Sequence, residues 1–190
     1  MGTAIALRLL EAGHEVWVWN RTAGRVEPSR QAGARVAATA AALADAVEVI
    51  ITILSNAAAQ NGTYDGPAGV LAGDVAGKLV IDMSTVQPAH AQALARKVTA
   101  KCATFVECPV GGTTGPARQG KLLGLAGGEA ADIARAQPIL AQLCRRLEHV
   151  GPVGAGSSMK LAINLPCWSP IRPLARPTSC ADISISIPRP

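Results

Sequence analysis

Apolar residues recur along the first 150 positions of the chain with the spacing of helices in some segments and of strands in others. In segment 3–13, Ile5, Leu9 and Leu10 share one helical face, and Gly13 is a typical helix terminator. Residues 47–54 form an apolar run of strand length, which is typical of a parallel strand covered on both faces. The pattern also predicts helices at 21–33, 39–46, 88–102 and 129–147, and strands at 14–20, 34–36, 78–84, 103–110, 121–128 and 148–151. This alternation predicts an α/β fold with a doubly wound parallel sheet.

The two ends of the chain depart from this pattern. A doubly wound nucleotide-binding fold begins with a strand that leads into the first helix, whereas here the first predicted element is already a helix. We therefore expect the first strand to be missing. Residues 166–190 contain six prolines and no glycine, and show no period apart from ISISI. Proline removes backbone donors and interrupts helices, so this tail is predicted to be irregular and foreign to the fold.

Composition narrows the class of protein. Hydrophobic residues make up 49% of the 190 positions, and the formal net charge is +5, with no run of Lys or Arg longer than two. The charge pattern argues against a dedicated nucleic-acid surface, and a basic nucleotide pocket explains a mild excess equally well. No apolar stretch is long enough to cross a bilayer, so no membrane association is expected.

The cysteines and the first residues bear on location and metal binding. Five cysteines form no CxxC pair and do not cluster with the three histidines, so the sequence predicts reduced thiols and no metal site. Met1 is followed directly by an amphipathic helix pattern without a basic leader. We therefore expect a cytoplasmic protein.

Four stretches together resemble one enzyme family. They are Met1-Gly2 before an alanine-rich helix, DMSTVQP (82–88), CPVGGTTGPARQGKL (108–122) and GPVGAGSSMKLAIN (151–164). In this order and spacing they resemble the β-hydroxyacid dehydrogenases, which include 3-hydroxyisobutyrate dehydrogenase and share a 6-phosphogluconate dehydrogenase-like NAD(P)-binding domain. The resemblance implies an NAD(P)-dependent oxidoreductase of small 3-hydroxy acids or their semialdehydes.

The same resemblance implies that parts of the family pattern are absent. Gly2 resembles the last glycine of the family's G-x-G-x-x-G motif, which binds the cofactor pyrophosphate. Family members continue beyond the Lys/Asn helix into an all-helical domain that closes the substrate cleft and forms the homo-oligomer. We therefore expect an incomplete NADP-binding domain at 1–153, the start of an interdomain helix at 154–165, and a foreign tail at 166–190. An internal start codon and a shifted reading frame near residue 166 would produce such a chain.

Lys160 and Asn164 are the candidate catalytic residues. They are four positions apart and therefore project from one helix face. The resemblance implies that Lys160 is the general acid/base and that Asn164 positions the substrate oxygen. An ammonium beside a developing alkoxide supplies both a proton and charge stabilisation. The alternative is a surface lysine on a helix that happens to follow glycines.

Candidate substrate contacts are Gly111, Gly112 and Ser84. The two glycines follow a strand, where their backbone N–H groups can face a carboxylate, although the family commonly has Ser at the position of Gly111. A tight turn that needs glycine is the alternative. Ser84 ends the strand at 78–84, at the sheet edge where open α/β sheets bind ligands.

The cofactor contacts are predicted partly from chemistry and partly from resemblance. In domains that prefer NAD, the second strand ends in Asp or Glu, which binds the ribose 2′-OH. Here Asn20 stands at that position and is followed by Arg21, Thr22 and Arg25, which favours NADP over NAD. A solvated helix start with ordinary arginines is the alternative. The resemblance adds Leu54, Asn56 and Thr85 along the cofactor, with Ser55 in place of the usual Pro.

Two other functions remain open at this point. One is a non-catalytic dinucleotide-binding or interaction module, which the presence of both Lys160 and Asn164 disfavours. The other is a non-functional product of a damaged gene. The small-molecule partner expected for the enzyme is a hydroxy acid or a semialdehyde.

Overall fold

The computed structural model describes residues 1–165 and 183–187 of the chain. Eight α-helices lie in the described residues, and two short 3-10 helices lie at Ala23–Val26 and Val70–Ala72. The helices are α1 (Gly2–Glu11), α2 (Glu27–Gln31), α3 (Ala40–Asp45), α4 (Ala57–Tyr64), α5 (Pro88–Thr99), α6 (Thr114–Arg118), α7 (Ala130–Leu143) and α8 (Ala155–Asn164).

The strands of the described residues form one sheet of nine. They are β1 (Trp17–Trp19), β2 (Arg35–Val36), β3 (Val49–Ile53), β4 (Leu79–Asp82), β5 (Thr104–Glu107), β6 (Val110–Gly111), β7 (Leu122–Gly127), β8 (Cys144–Gly151) and β9 (Ile183–Ile187). The spatial order is β2-β1-β9-β3-β4-β5-β7-β6, and β8 also pairs with β7. β1 and β2 pair in parallel, as do β3 with β4 and β4 with β5.

Both faces of this sheet are covered by helices. Ile50 and Ile51 are consecutive in β3, so their side chains leave opposite faces, and each is fully buried. Ile51 belongs to a core cluster that contains Ile5 of α1, and Ile50 belongs to a second cluster that contains Leu94 of α5. The predicted α/β fold with a doubly wound parallel sheet is therefore confirmed.

The position between β1 and β3 is occupied by β9, and this corrects part of the sequence-based expectation. No strand precedes α1 in the described residues, and β9 pairs antiparallel with β1 on one side and β3 on the other. Ile185 lies opposite both Val18 and Ile51. The expectation of an irregular tail is wrong for 183–187, because the open backbone groups of two neighbouring strands form a ladder with any extended segment that reaches them. The rest of that expectation concerns 166–182 and 188–190, which lie outside the described residues.

Two predicted boundaries also change. The helix predicted at 129–147 ends at Leu143, because Cys144 begins β8 and pairs with Leu122 of β7. The helix predicted at 21–33 is a 3-10 turn followed by the short α2, which restarts with a proline in its first turn.

Candidate active site

The carboxyl ends of β3 and β4 lie side by side at one edge of the sheet. Because the strands are parallel, the residues that follow them, Leu54 and Ser84, meet there. Leu54 is almost completely buried, and the Ser84 hydroxyl accepts a hydrogen bond from its N–H at 2.8 Å. Asn56 caps the amino end of α4, and its Oδ1 accepts a hydrogen bond from the N–H of Ala59 at 2.9 Å. Thr85, the next residue after Ser84, is exposed at this edge.

Asp82 is the centre of a buried hydrogen-bond network beneath this edge. Its Oδ1 accepts from Thr52 Oγ1 at 2.8 Å and from Ser84 Oγ at 2.6 Å, and its Oδ2 accepts from Gln60 Nε2 at 2.5 Å. Thr52 also hydrogen bonds to the hydroxyl of Tyr64 at 2.8 Å. The network connects β3, β4 and α4 through one carboxylate.

The electrostatics of the network follow from its burial. Desolvation raises the pKa of Asp82 from 3.8 to about 6, although the hydrogen bonds from Ser84 and Thr52 act in the opposite direction. Desolvation, and then the charge of Asp82, raises the pKa of Tyr64 well above its usual value.

These contacts change the role expected of Ser84. The side chain is 2% exposed, and its hydroxyl donates to Asp82 while accepting from Leu54. The hydroxyl therefore joins the ends of β3 and β4, and the predicted direct contact with substrate does not fit this geometry. The position of Ser84 at a strand end correctly predicted that it lies at the sheet edge. It did not predict that the hydroxyl points inward to Asp82.

Helix α8 packs against β7, β8 and α5, and it carries Lys160 and Asn164. A cavity of about 680 Å³ is lined by Thr85, Pro88, Ser158, Leu161, Ala162, Asn164 and Leu165. The structure thus brings Thr85 and Asn164 to one cavity. Lys160 is half-buried on the same helix, one turn before Asn164. Apolar residues of α8 are exposed, including Met159 at 44% and Ile163 at 45%, and Leu165, which directly follows the helix, is 70% exposed.

The amino end of α8 is held by a residue that the sequence reading did not single out. Glu107, the last residue of β5, is 1% exposed, and its carboxylate accepts hydrogen bonds from the N–H groups of Gly154 and Gly156 and from the hydroxyl of Ser157. The sequence offered one indication that Glu107 is buried, namely a single carboxylate at the end of the apolar stretch TFVE. Asp82 in LVID carries the same signal.

The glycines predicted to bind the substrate line a different cavity. Gly111 lies in β6 opposite Leu123. Gly112 has a φ of 127°, which residues other than glycine rarely adopt. Their cavity of about 400 Å³ is also lined by Pro116, Lys121, Leu123 and Arg145. It shares no lining residue with the cavity of Thr85 and Asn164.

The residues predicted for the adenine side of the cofactor follow β1. Asn20 is 5% exposed, and its Oδ1 accepts a hydrogen bond from the N–H of Thr22 at 2.8 Å. Its Nδ2 is buried and has no hydrogen-bond partner among the described residues. Arg21, Thr22 and Arg25 are exposed.

The amino end of α1 is the predicted pyrophosphate site. Gly2 is the first residue of α1 and is buried, and no side chain caps the helix. The first intrahelical bond runs from the N–H of Ile5 to the carbonyl of Met1, which leaves the preceding N–H groups without a partner inside the helix. Such an end favours an anion.

Two of the cysteines lie close together inside the protein. Cys108 and Cys144 are buried, and the hydrogen bond between their thiols raises the pKa of Cys108 and lowers that of Cys144. Within 1–165 and 183–187, no group of three His, Cys, Asp or Glu side chains is arranged to hold a metal ion. In the same residues no helix has the length and apolar character needed to span a membrane.

The family model of the NAD binding domain of 6-phosphogluconate dehydrogenase matches residues 1–151. The chain belongs to this family. The resemblance inferred from the four sequence stretches is thereby confirmed, and the position of the sheet edge agrees with a family that binds NAD(P).

Individual relatives within the family are oxidoreductases. The chain is 38% identical over 166 residues to a 3-hydroxyisobutyrate dehydrogenase of Pseudomonas aeruginosa, covering 87% of this chain and 55% of that protein. It is 35% identical over 165 residues to glyoxylate/succinic semialdehyde reductase 1 of Arabidopsis thaliana, covering 87% and 57%. A solved structure of Psf3 in complex with NADP⁺ and 2-OPP is similar with a TM-score of 0.83 at 29% identity, covering 87% of this chain and 59% of that one. The chain therefore spans little more than half the length of these relatives.

Proposed function

We propose that this chain forms the NADP(H)-binding part of an oxidoreductase that acts on small 3-hydroxy acids or their semialdehydes. The observation that carries the proposal is the cavity shared by Thr85 and Asn164, with Lys160 one helical turn away. A strand end of the nucleotide-binding sheet and a helix bearing an amine and an amide meet there. The activities of the similar dehydrogenase and reductase agree with this arrangement.

Lys160 is proposed as the general acid/base and Asn164 as its helper. NADPH, when bound, supplies the hydride to the carbonyl carbon. The Lys160 ammonium then gives a proton to the carbonyl oxygen and stabilises the charge that develops on it. The Asn164 amide would orient that oxygen, because it faces the cavity from the next turn of α8. In the oxidation direction the lysine accepts the proton.

The adenine end of the proposed site fits a 2′-phosphate. No acidic side chain follows β1 in WNRT, where a carboxylate would repel a phosphate. The exposed Arg21 and Arg25 can approach a phosphate, and Arg presents a planar pair of donors that matches its oxygens. The buried Nδ2 of Asn20, which has no hydrogen-bond partner in the described part of the chain, is a further donor beside the turn. The uncapped end of α1 at Gly2 would hold the pyrophosphate.

The described residues do not bring all the proposed substrate contacts together in one cavity. Gly111 and Gly112 are proposed to offer backbone N–H groups to the substrate carboxylate, in a cavity that also contains Lys121 and Arg145. That cavity is separate from the one at Thr85, so a further part of the enzyme would have to join them. The all-helical domain implied by the family resemblance would cover the exposed apolar side of α8 and close this cleft.

Calorimetry with two adenine nucleotides tests the proposed cofactor preference without requiring turnover. We expect adenosine 2′,5′-bisphosphate to bind at least tenfold more tightly than 5′-AMP, a difference of about 1.4 kcal/mol. Arg21→Asp should remove most of this preference, whereas Arg96→Asp, the same charge reversal at an exposed position on α5, should leave it intact. Equal affinity of the unaltered chain for both nucleotides would overturn the assignment of NADP(H).

A further inference from the structure

The amino end of α8 is capped from a distant part of the chain. The N-cap residue of this helix, Gly154, has no side chain and adopts a left-handed φ of 102°. The cap comes instead from Glu107, whose Oε1 accepts from Gly154 N at 2.5 Å and from Gly156 N at 2.8 Å, and whose Oε2 accepts from Ser157 Oγ at 2.7 Å. Three donors at the positive end of a helix compensate for the burial of this carboxylate.

Two glycines make room for the carboxylate. A Cβ atom added to Gly127 of β7 would overlap Oε1 of Glu107. A Cβ atom added to Gly156 would lie 3.1 Å from the same oxygen and would overlap the carbonyl oxygen of Leu125. β7 and α8 therefore approach each other around Glu107 more closely than side chains would allow.

The location of Glu107 connects two parts of the proposed site. On one side it is followed by Cys108 and Pro109, which lead directly into β6 and the glycine turn. On the other side its last partner, Ser157, precedes Lys160 by three residues, less than one helical turn. A shift of the carboxylate would change the position of α8, and with it the Lys160 amine, relative to both the sheet edge and the glycine turn.

We propose that Glu107 is a positioning residue, which fixes the start of α8 against the end of β5 so that Lys160 keeps its position one turn before Asn164, near the cavity of Thr85. The proposal rests on the catalytic role proposed for Lys160. Glu107 itself is buried and reaches donors of the helix, so it acts through α8 and not on the substrate.

Glu107→Gln is the direct test, because the amide has nearly the same shape but one of its oxygens is replaced by a donor. The matched control is Glu129→Gln, since Glu129 also precedes a helix but makes no capping hydrogen bond there. Hydrogen exchange should show at least a tenfold loss of protection at the amides of residues 156–160 in Glu107→Gln. Protection in α7 should stay unchanged in both variants.

The second measurement follows the Lys160 amine itself. After ¹³C-dimethylation of the lysines, the Lys160 resonance, assigned with Lys160→Arg, should move in Glu107→Gln and stay in place in Glu129→Gln. The resonances of Lys97 and Lys121 should not move in either variant. A residue that only stabilised the fold would not produce a change confined to Lys160.

Ser157→Ala keeps the test decisive if Glu107→Gln does not fold, because it removes one of the three bonds to the carboxylate. It should produce smaller changes at the same residues. Unchanged protection of α8, or an equal loss throughout the sheet, would overturn the proposal. Both readouts are independent of turnover, so they can succeed or fail separately from the catalytic role of Lys160.

Discussion

The hydroxyl of Ser84 lies 2.6 Å from Oδ1 of Asp82 and donates its hydrogen to that carboxylate. The same hydroxyl accepts the N–H of Leu54, so one serine connects the ends of two neighbouring strands. Both side chains are buried beneath the edge where Thr85 faces the cavity. The geometry of the proposed cofactor edge therefore depends on an internal acid.

The first prediction concerns the pH dependence of stability that Asp82 causes. Its pKa is about 6 in the folded protein, above the ordinary 3.8, because burial disfavours the charged form. The stabilisation from binding a proton at Asp82 is therefore fully present below pH 3.8 and is lost as the pH rises through 6. The corresponding loss in the free energy of unfolding is about 3 kcal/mol.

Urea denaturation between pH 4 and 7 measures this effect. Relative to Asp82→Asn, which cannot ionise, the unaltered chain should lose stability as the pH rises across this range. Asp74→Asn, which changes an exposed carboxylate, serves as the control and should follow the unaltered chain. Parallel curves for the unaltered chain and Asp82→Asn would show that Asp82 does not titrate in this range.

The second prediction concerns the Ser84 hydroxyl. Ser84→Ala leaves the buried N–H of Leu54 and one position on Asp82 without a partner, which should lower the free energy of unfolding by about 1–3 kcal/mol. Ser158→Ala is a suitable control, because among the described residues that hydroxyl bonds to the carbonyl of Gly154, four positions before it, and links no other element. Chemical denaturation that gives the same small loss for both variants would contradict the structural role of Ser84.

The third prediction concerns β9. Ile185 lies between β1 and β3, so proline there would remove a backbone donor from the interior of the sheet. Ile185→Pro should lower the free energy of unfolding by about 2 kcal/mol or more. Ala130→Pro, at the first position of α7 and after the extended Glu129, should cost little because proline is tolerated there. If Ile185→Pro unfolds at the same urea concentration as the unaltered chain, β9 does not occupy this position in solution.

The fourth prediction is that residues 1–190 alone show little or no reductase activity. The expected loss of the first strand does not leave the edge of β3 open, because β9 pairs with it. Two reasons remain: among the described residues α1 has no strand and glycine turn before it, and the apolar side of α8 is exposed, which leaves Lys160 close to water.

Oxidation of NADPH with succinic semialdehyde should proceed no faster with the purified chain than with its Lys160→Ala variant. A steady rate that disappears in Lys160→Ala would show that this chain completes the active site by itself.

The sequence predicted the sheet and its edge well because apolar strand patterns are local. The run at 47–54 became β3, and the consecutive Ile50 and Ile51 are buried on opposite faces as expected. Helix ends at Gly13 and Gly33 were also predictable, since both have a positive φ that glycine favours.

Features that depend on distant contacts were missed. Nothing near Asp82 or Glu107 in the chain indicates that their partners are Gln60 and Ser157. The alternation in ISISI was visible, but its place between β1 and β3 depends on which backbone groups remain open in the folded sheet. α4 and α6 were not predicted either; α4 contains the polar stretch QNGT, and α6 is only five residues long.

An NMR titration of the ¹⁵N-labelled chain with NADPH tests the central claim most directly. We expect saturable chemical-shift changes of backbone amides in four segments. They are residues 2–4 at the amino end of α1, residues 20–25 after β1, and residues 54–56 and 84–85 along the β3–β4 edge. NADH should require at least a tenfold higher concentration for the same shifts. If neither nucleotide produces saturable shifts, or if the shifts are confined to the cavity of Gly111 and Arg145, the chain does not bind NADP(H) as proposed.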